Sequence, residues 1–355
     1  MQVRVILGSP NSDTVRKPMT SLLLPTADTD AEFARITAAL TRRGFLGAGA
    51  LAGIGLLTAC GTSSSESAEG SMRTINTALG QVEVPANPQR VVSADYYTGP
   101  AMFDAGFTPV GLPVDYENAD GVPEPYASAL RSLPKVGRWY EPNAEAIAAL
   151  SPDLIVMTNL LSENNPDLYE QIRSIAPTAV FAEDGQYAWK ERALGVADAL
   201  NQSAKVQELA DRYEARIAKF RSDNADVLSK VKVVYTTYFE ESGFSLYSPT
   251  KYQTTVISEA GFQFNDRSLA IPAGSNEWFP KEQLELLDEA DVIITNSGKG
   301  PINEKLANDT IFQRLRAVKN DQVYSFDYEG VASFGWALTF LEQFQPIAEE
   351  IRAKL

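Results

Sequence analysis

The chain has 355 residues with a formal net charge of −15, a hydrophobic content of 44%, one Cys and no His. This length predicts one or two domains, and so strong an acidic excess argues against nucleic acid as a partner. A single Cys excludes an internal disulfide, and the absence of His excludes Ser-His-Asp and Cys-His catalytic sites.

The first predicted element is an export signal at Thr41–Cys60, TRRGFLGAGALAGIGLLTAC. Arg42 and Arg43 precede an apolar run that is too short and too rich in glycine for a membrane span of about 20 residues. This order is typical of a signal peptide. Thr-Arg-Arg-Gly-Phe-Leu resembles the twin-arginine export motif, and Leu-Thr-Ala-Cys resembles the bacterial lipobox, whose Cys is acylated. We therefore predict export, with a lipid on Cys60 that holds the protein to the outer face of the cytoplasmic membrane.

A small, polar segment of low complexity, GTSSSESAEGS, follows the predicted lipid site at Gly61–Ser71. Such a composition is typical of a flexible tether. The front of the chain is therefore predicted to consist of a signal segment at 1–59 and a tether at 60–72.

Strands and helices alternate along the rest of the chain. The alternation around Gly80 predicts a β-hairpin at Thr74–Val84. A long helical stretch is predicted from Trp189 to Ser229 with a break near Asn201, and a closing helix at Phe334–Lys354. The other predicted strands are Gln89–Asp95, Thr108–Leu112, Asp153–Thr158, Thr178–Ala182, Val231–Phe239, Asp291–Thr295 and Gln322–Phe326.

This order predicts an α/β fold with two Rossmann-like lobes, each built on a parallel-rich sheet. The N-terminal lobe is assigned to 73–200, one long interlobe helix to 201–230 and the C-terminal lobe to 231–355. Ligands of open α/β sheets lie at the carboxyl ends of the strands, so the cleft between the lobes is the predicted site. A stiff helix between the lobes predicts a small rigid-body tilt on ligand binding.

One segment occurs twice. EAIAALSPDLIVMTN at Glu145–Asn159 returns as EQLELLDEADVIITN at Glu282–Asn296. Each copy begins with Glu, forms a helical pattern up to a Leu, and continues through Asp and a β-branched run to Thr-Asn. Helix-turn-strand units are general in α/β folds, but the shared Glu, Leu and Thr-Asn favour a true duplication of one unit in each lobe.

Five stretches, taken in order, resemble the iron-siderophore type of substrate-binding protein of ABC importers. This class joins its lobes with one rigid helix and includes cobalamin and haem binders. The resemblance implies that Glu145 and Glu282, one on each lobe, dock into arginine-containing pockets of a permease dimer. From the residues alone, the favoured interpretation is that both are ordinary first-turn acids, which stabilise their helices. The stretches are Leu79–Ser93, Asp104–Leu112, Lys135–Val156, Phe279–Thr295 and Leu315–Asp327.

The loops predicted to border the cleft are rich in aromatic residues, which suit a site for a drug-sized ligand. Each of these side chains could instead belong to a core. The candidates in the first lobe are Tyr96, Tyr97, Arg138, Trp139 and Tyr140, and those in the second lobe are Tyr238, Tyr247 and Trp278.

The predicted ligand is a ferric siderophore, which brings its own iron ligands, so neither a resident cofactor nor a metal site of the protein is expected. The absence of His argues against a bare zinc or manganese ion. Haem, with Tyr as axial ligand, and cobalamin stay open as alternatives. Arg138 favours an anionic chelate, whereas the negative net charge of the protein favours a neutral or cationic chelate. The class of siderophore therefore also stays open.

Two other functions compete with transport. Ser132–Lys135 and Ser248–Lys251 fit the Ser-x-x-Lys pattern of penicillin-recognising enzymes, but the chain lacks their Ser-Asp-Asn and Lys-Thr-Gly motifs. We therefore predict that the protein is not an enzyme. A sensor or cell-wall factor would keep the cleft and tolerate the loss of Glu145 and Glu282. The protein is expected to act as a monomer.

Overall fold

The computed structural model describes residues 71–355 except 116–121, 125, 184–187, 240–242, 297–303 and 327–330. The described residues belong to one compact unit. The predicted export and lipidation residues Arg42, Arg43 and Cys60 lie outside this part of the chain. Within it, every helix is too short or too polar to cross a membrane.

The described chain starts with the predicted β-hairpin. Strand β1 (Met72–Thr77) pairs antiparallel with β2 (Gly80–Pro85), in register from Met72 opposite Pro85 to Thr77 opposite Gly80. Gly80 has a φ of 102°, which a side chain would disfavour at this tight turn. The prediction of a hairpin here is confirmed.

The first lobe has a parallel three-stranded sheet in the order β3-β6-β7. Every residue of these strands is buried, because helices and the hairpin cover the sheet. The predicted strand at Thr108–Leu112 is present only as two isolated pairings, of Gly111 and Leu112. The strands are β3 (Val91–Ser93), β4 (Gly137–Arg138), β5 (Glu141–Pro142), β6 (Leu154–Thr158) and β7 (Thr178–Phe181), and β4 pairs with β5. The helices are α1 (Gly99–Asp104), α2 (Tyr126–Arg131), α3 (Ala144–Ala149), α4 (Leu160–Asn164) and α5 (Pro166–Arg173).

Helix α6 (Ala188–Ala199) packs against β7 and α1 of the first lobe, and α7 (Ser203–Asp223) and α8 (Ala225–Leu228) connect it to the second lobe. The predicted break near Asn201 is confirmed, because Asn201 has a φ of 56°. Asn is among the few residues that adopt this left-handed conformation readily. Helix α7 has 21 residues, so it is about 30 Å long and forms the spine of the molecule. Its buried stripe follows helical spacing and comprises Val206, Ala210, Tyr213, Ile217 and Phe220.

The second lobe has a mixed six-stranded sheet in the order β11-β9-β8-β12-β13, with β10 also beside β8. Strand β12 runs parallel to β8 and β13, whereas β9 and β11 run antiparallel to their neighbours. The strands are β8 (Lys232–Phe239), β9 (Gly243–Tyr247), β10 (Gln263–Phe264), β11 (Asn276–Phe279), β12 (Val292–Asn296) and β13 (Val323–Phe326). The helices are α9 (Thr255–Glu259), α10 (Asp266–Ala270), α11 (Glu304–Ala307) and α12 (Arg316–Lys319), with 3₁₀ helices at Lys281–Glu289 and Phe312–Arg314.

The closing helix is divided in two, which corrects the prediction of one helix at Phe334–Lys354. Helix α13 (Phe334–Glu342) ends before Gln343, and α14 (Phe344–Lys354) follows. Pro346 explains the break, because proline has no N–H to donate to the carbonyl of Glu342 four residues earlier.

The start of α13 is fixed to the first lobe by Asp104 of α1. The carboxylate of Asp104 accepts hydrogen bonds from the backbone N–H of Gly335 at 2.7 Å and from the hydroxyl of Tyr126 at 2.5 Å. A Cβ atom on Gly335 would lie 2.0 Å from the Tyr126 oxygen, so this close approach requires glycine. Burial raises the pKa of Asp104, although these hydrogen bonds oppose the shift.

The duplicated segments have equivalent positions in the two sheets. Strand β6 lies beside β3, and β12 lies beside β8. The Asp of each copy accepts backbone N–H groups at the start of that neighbouring strand. Asp153 binds the N–H groups of Gln89 at 2.6 Å and Arg90 at 3.0 Å, and Asp291 binds that of Lys232 at 2.8 Å. The repeat is therefore one structural unit used twice.

Candidate functional site

A buried carboxylate shapes the loop that follows β3. One oxygen of Asp95 accepts the N–H groups of Tyr97 at 2.7 Å and Thr98 at 2.9 Å. The other oxygen accepts the N–H of Thr158 at the end of β6. Asp95 thereby joins the carboxyl ends of two neighbouring strands and fixes the loop that presents Tyr96 and Tyr97.

All five residues predicted for the first lobe lie together at this edge of the sheet. Tyr97 contacts Tyr96 with ring centroids 5.8 Å apart and Trp139 at 6.2 Å. Trp139 contacts Tyr140 at 5.4 Å, and the guanidinium of Arg138 lies 5.9 Å from the Tyr140 ring. The three ring pairs meet edge to face, which is a favourable geometry for aromatic rings. We call these four rings the aromatic cluster.

Arg192 of α6 lies against this cluster and was missed by the sequence analysis. It is only 1% exposed, and its guanidinium carbon is 5.0 Å from the centre of the Tyr97 ring. One terminal nitrogen donates to the carbonyl oxygens of Ala182 at 2.9 Å and Glu183 at 3.1 Å, just after β7. The Nε atom is buried and has no hydrogen-bond partner among the described residues.

The charge of Arg192 persists in this buried position. Burial lowers the pKa of the guanidinium, and the nearby carboxylate of Asp95 opposes that shift. An arginine keeps its proton even in such surroundings, because its ordinary pKa is above 12. The site therefore holds a permanent positive charge beneath aromatic rings, with one donor aimed at no protein group in the described chain.

The second lobe reaches the cluster through Tyr252, which the sequence analysis also missed. Its ring is 5.8 Å from that of Tyr97, and the ammonium of Lys251 lies 5.5 Å from the Tyr252 ring. Burial raises the pKa of Tyr97 well above its ordinary value, and the neighbouring Tyr252 adds to the shift. Tyr97 therefore stays a neutral phenol. The two lobes meet at this pair of tyrosines, directly over Arg192.

Trp278 of β11 lies elsewhere on the second lobe. It is 49% exposed and packs against Phe239, itself 53% exposed, with ring centroids 5.6 Å apart. Trp278 is opposite Ser245 on the neighbouring strand, so both side chains belong to the same face of the sheet. This exposed aromatic pair is suitable for ligand contact, but it makes no ring contact with the aromatic cluster in the described structure.

The two remaining predicted residues have their contacts within the second lobe. The hydroxyl of Tyr247 is 2.9 Å from that of Thr237, and its ring is 5.1 Å from Tyr235. Tyr238 packs against the apolar core that contains Phe244. A role of Tyr238 and Tyr247 in ligand binding stays a prediction.

The two duplicated acids are exposed in the first turns of their helices. Glu145 is the second residue of α3, whose cap Asn143 accepts the N–H of Ala146 at 2.9 Å. Glu282 is the second residue of the 3₁₀ helix Lys281–Glu289. Both carboxylates are therefore accessible to a partner, and neither is used inside the protein core.

Two further features concern other kinds of site. A surface cavity of about 280 Å³ lies beside the 3₁₀ helix Lys281–Glu289, and its lining includes no residue of the aromatic cluster. Its lining residues are Glu285, Asp288, Ile311, Arg314 and Leu315. In the described ranges, no three or more His, Cys, Asp or Glu residues are grouped so that they could hold a metal ion.

The missed residues left weak signals in the sequence. In AWKERALGVADAL, Arg192 has the helical spacing of the apolar positions Trp189 and Val196, so a charge interrupts the buried face of α6. Tyr252 is an aromatic residue in the segment after β9. Neither signal predicts the contacts of these two residues with Tyr97, because the contacts join residues that are far apart in the sequence.

Comparisons with known proteins agree with this architecture. A model of the periplasmic binding protein family matches residues 113–329. The Bacillus subtilis protein named "Probable siderophore-binding lipoprotein YfiY" is 28% identical over 289 residues, which cover 77% of this chain and 86% of the relative. The "Fe(3+)-citrate-binding protein YfmC" of the same organism is 27% identical over 289 residues, which cover 77% of this chain and 87% of the relative.

Solved structures share the fold. The siderophore periplasmic binding protein from the fuscachelin gene cluster of Thermobifida fusca superposes with a TM-score of 0.64 at 22% identity, covering 75% of this chain and 98% of that one. Staphylococcus aureus SirA in complex with staphyloferrin B gives 0.65 at 22% identity, covering 78% of this chain and 98% of that one. The predicted α/β architecture of two lobes is thereby confirmed.

Proposed function

Because the chain belongs to the periplasmic binding protein family, we propose that it captures a ferric siderophore in its interlobe cleft and delivers it to an ABC importer for iron uptake. The names of its relatives support this ligand class, since they include a siderophore-binding lipoprotein and an Fe(3+)-citrate-binding protein. Family and fold are those of binding proteins, and we propose that this chain catalyses no reaction.

The observation that carries the proposal is the contact of the two lobes over Arg192. A ferric siderophore supplies its own iron ligands, so a protein needs surfaces for stacking, hydrogen-bond donors and matching charge. The aromatic cluster supplies the surfaces, and Tyr252 extends them from the second lobe. Arg192 adds a permanent positive charge beneath these rings, which favours an anionic ligand.

The local charge favours an anionic chelate. Arg192 lies beneath Tyr97 and Lys251 lies beside Tyr252, so two cations flank the contact between the lobes. The net charge of −15 is screened beyond about 8 Å at physiological salt, so these nearby groups outweigh it. We therefore favour a ferric carboxylate or catecholate complex over a neutral hydroxamate complex.

Ligand titration tests the proposal. Tryptophan fluorescence of the full chain is measured with ferric citrate, a ferric catecholate, a ferric hydroxamate, haemin and cobalamin. Trp139 lies in the aromatic cluster, so a bound chelate should change its emission. We expect saturable quenching by an anionic ferric chelate. Binding of haemin or cobalamin alone, or of no compound in the panel, would overturn the proposal.

Delivery requires a partner in the membrane. We propose that Glu145 and Glu282 dock with arginine side chains of the two subunits of a permease. Both acids are exposed, lie in first helical turns and occupy equivalent places in the duplicated unit. An arginine fork can bind a carboxylate through two charge-assisted hydrogen bonds.

The location also follows from the proposed role. The relatives are periplasmic or lipoprotein binding proteins, which supports a place outside the cytoplasm. We propose that a lipid on Cys60 anchors the protein to the outer face of the cytoplasmic membrane, where it acts as a monomer within reach of the permease. The motifs around Arg42, Arg43 and Cys60 support this proposal.

A further inference from the structure

Lys190 of α6 is a buried cation that joins three helices. Its side chain is 3% exposed, and its ammonium lies 3.0 Å from a carboxylate oxygen of Glu214 on α7 and 2.8 Å from one of Glu259 on α9. The hydroxyl of Tyr213 donates to the other oxygen of Glu259 at 2.5 Å. The ammonium also lies 4.9 Å from the centre of the Tyr213 ring.

The residue before Lys190 makes a second polar contact with the same helix of the second lobe. The indole N–H of Trp189 donates to the hydroxyl of Thr255 at 3.0 Å, and both side chains are buried. Thr255 begins α9 and Glu259 ends it. Two consecutive residues of α6 therefore hold both ends of α9. We call Trp189, Lys190, Thr255 and Glu259 the latch.

The latch and the candidate site use the same two chain segments. Arg192 follows Lys190 by two residues on α6, and Tyr252 precedes Thr255 by three residues. A shift of α9 relative to α6 would therefore also shift Tyr252 relative to Tyr97 and Arg192. The latch therefore lies where it can set the spacing of the lobes at the contact between Tyr97 and Tyr252.

Stability alone does not account for a buried ion pair at this position. Removing a charge from water is costly, and well-packed apolar residues of similar volume are often as stabilising or more so. A buried polar pair does, however, specify one arrangement, because a shifted arrangement leaves a charge without its partner. Lys190 and Glu259 fit this role, since they belong to different lobes.

We propose that Lys190 and Glu259 are positioning residues that set the spacing of the lobes and hold Tyr252 against Tyr97 over Arg192. This inference rests on the proposed function for the identity of the site. The spacing itself is a property of the protein without ligand. Loss of the latch should therefore loosen the cleft even when no ligand is present.

The test is the double variant Lys190→Met/Glu259→Gln, which removes both charges and keeps an acceptor for Tyr213. Spin labels at Ser132→Cys and Gln263→Cys, two exposed positions on different lobes, report the distance between the lobes in a full chain that carries Cys60→Ser. Without ligand, we expect a broader distance distribution in the double variant than in the protein with an intact latch. With the ferric chelate that the unmodified protein binds, we expect dissociation about tenfold faster and little change in association.

A matched control is available on the spine. Lys219 and Asp223 of α7 form an exposed ion pair at 2.6 Å, and neither residue belongs to the latch or to the aromatic cluster. Lys219→Met/Asp223→Asn removes the same kinds of charge and should leave the distance distribution and the dissociation rate unchanged.

A folded double variant with the distance distribution of the unmodified protein would overturn the proposal. If the unmodified protein binds no compound of the panel, the proposed function fails, but the distance measurement still decides the role of the latch. If circular dichroism shows that the double variant is unfolded, Glu259→Gln alone is measured against the same criteria, because it keeps the pair of Lys190 with Glu214.

Discussion

At the scale of single residues, Arg192 and Asp104 illustrate two ways in which a buried charge is held. One terminal nitrogen of Arg192 donates hydrogen bonds to two backbone carbonyls, and its Nε has no partner in the described structure. Asp104 is bound by an N–H and a hydroxyl from other elements. The first group keeps a positive charge beneath the aromatic cluster, and the second joins structural elements.

Replacing Arg192 by Gln should weaken binding of an anionic ferric chelate by about tenfold to a hundredfold, because it removes the positive charge beneath the aromatic cluster, and opposite charges roughly 8 Å apart attract by about 2 kcal/mol at an effective dielectric constant of about 20. Arg192→Lys should retain part of the binding, because it keeps the charge but lacks the planar fork that holds the two backbone carbonyls. Fluorescence titration measures both affinities. Arg173→Gln, an exposed change on α5, is the control. Unchanged affinity in a folded Arg192→Gln variant would contradict the role of Arg192.

Asp104 should make stability depend on pH. Its pKa is raised in the folded protein by burial, so the folded state binds the proton more tightly than the unfolded state. Its contribution is therefore favourable at low pH and is lost as pH rises from the unfolded to the folded pKa. Stability of Asp104→Asn relative to the unmodified protein should increase with pH across that window and then level off. Urea unfolding at several pH values measures this difference, and a decrease with pH would contradict it.

At the scale of elements, the duplicated unit gives each lobe an aspartate that fixes a neighbouring strand and a glutamate that faces solvent. Asp153 and Asp291 bind N–H groups at the start of β3 and β8, so they keep the unit in register with its sheet. Glu145 and Glu282 have no such internal task in the core. Each copy of the unit therefore has one acid that stabilises its lobe, the aspartate, and one acid that is available to a partner, the glutamate.

Glu145→Ala/Glu282→Ala should abolish iron uptake by cells while ligand affinity stays unchanged, because the exposed acids lie outside the aromatic cluster. Uptake of radioactive iron and fluorescence titration measure the two effects. Glu170→Ala/Glu350→Ala, which removes two other exposed acids, should preserve uptake. Normal uptake by the first variant would contradict docking through these acids.

Elements that depend on local pattern were predictable from the sequence. The buried apolar runs of β6 and β12 and the turn at Asn201 each have a local cause. Strands β9 and β11 are not among the predicted strands, because their pairing depends on the antiparallel partner rather than on their own composition. The contacts of Arg192 and Tyr252 with Tyr97 depend on the whole fold, so these two members of the candidate site could not be predicted from the sequence.

At the scale of the whole molecule, three connections join the lobes. Helix α7 is the spine, the latch holds α6 to α9, and Asp104 holds the start of α13. Trp189 and Tyr213 also pack against Phe334 of α13, with ring centroids 5.1 and 6.0 Å apart. These contacts lie on several helices, so a wide swing about one hinge would break most of them.

Ligand binding should therefore change the overall dimensions very little. Small-angle scattering of the protein with and without its ferric chelate should give radii of gyration that agree within experimental error, because the expected motion is a small rigid-body tilt. The latch variant provides the comparison, since its ligand-free state should be more expanded. A clear compaction of the unmodified protein on binding would contradict a rigid frame.

The two exposed acids, Glu145 and Glu282, lie on helices of different types. Glu145 lies in the first turn of an α-helix with an asparagine cap, whereas Glu282 lies in the first turn of a 3₁₀ helix that follows Pro280. A receptor with two identical halves would meet a different contour at each end, and turning the protein by 180° would exchange them. Docking therefore has a polarity, and a receptor assembled from two distinct subunits could select one of the two orientations.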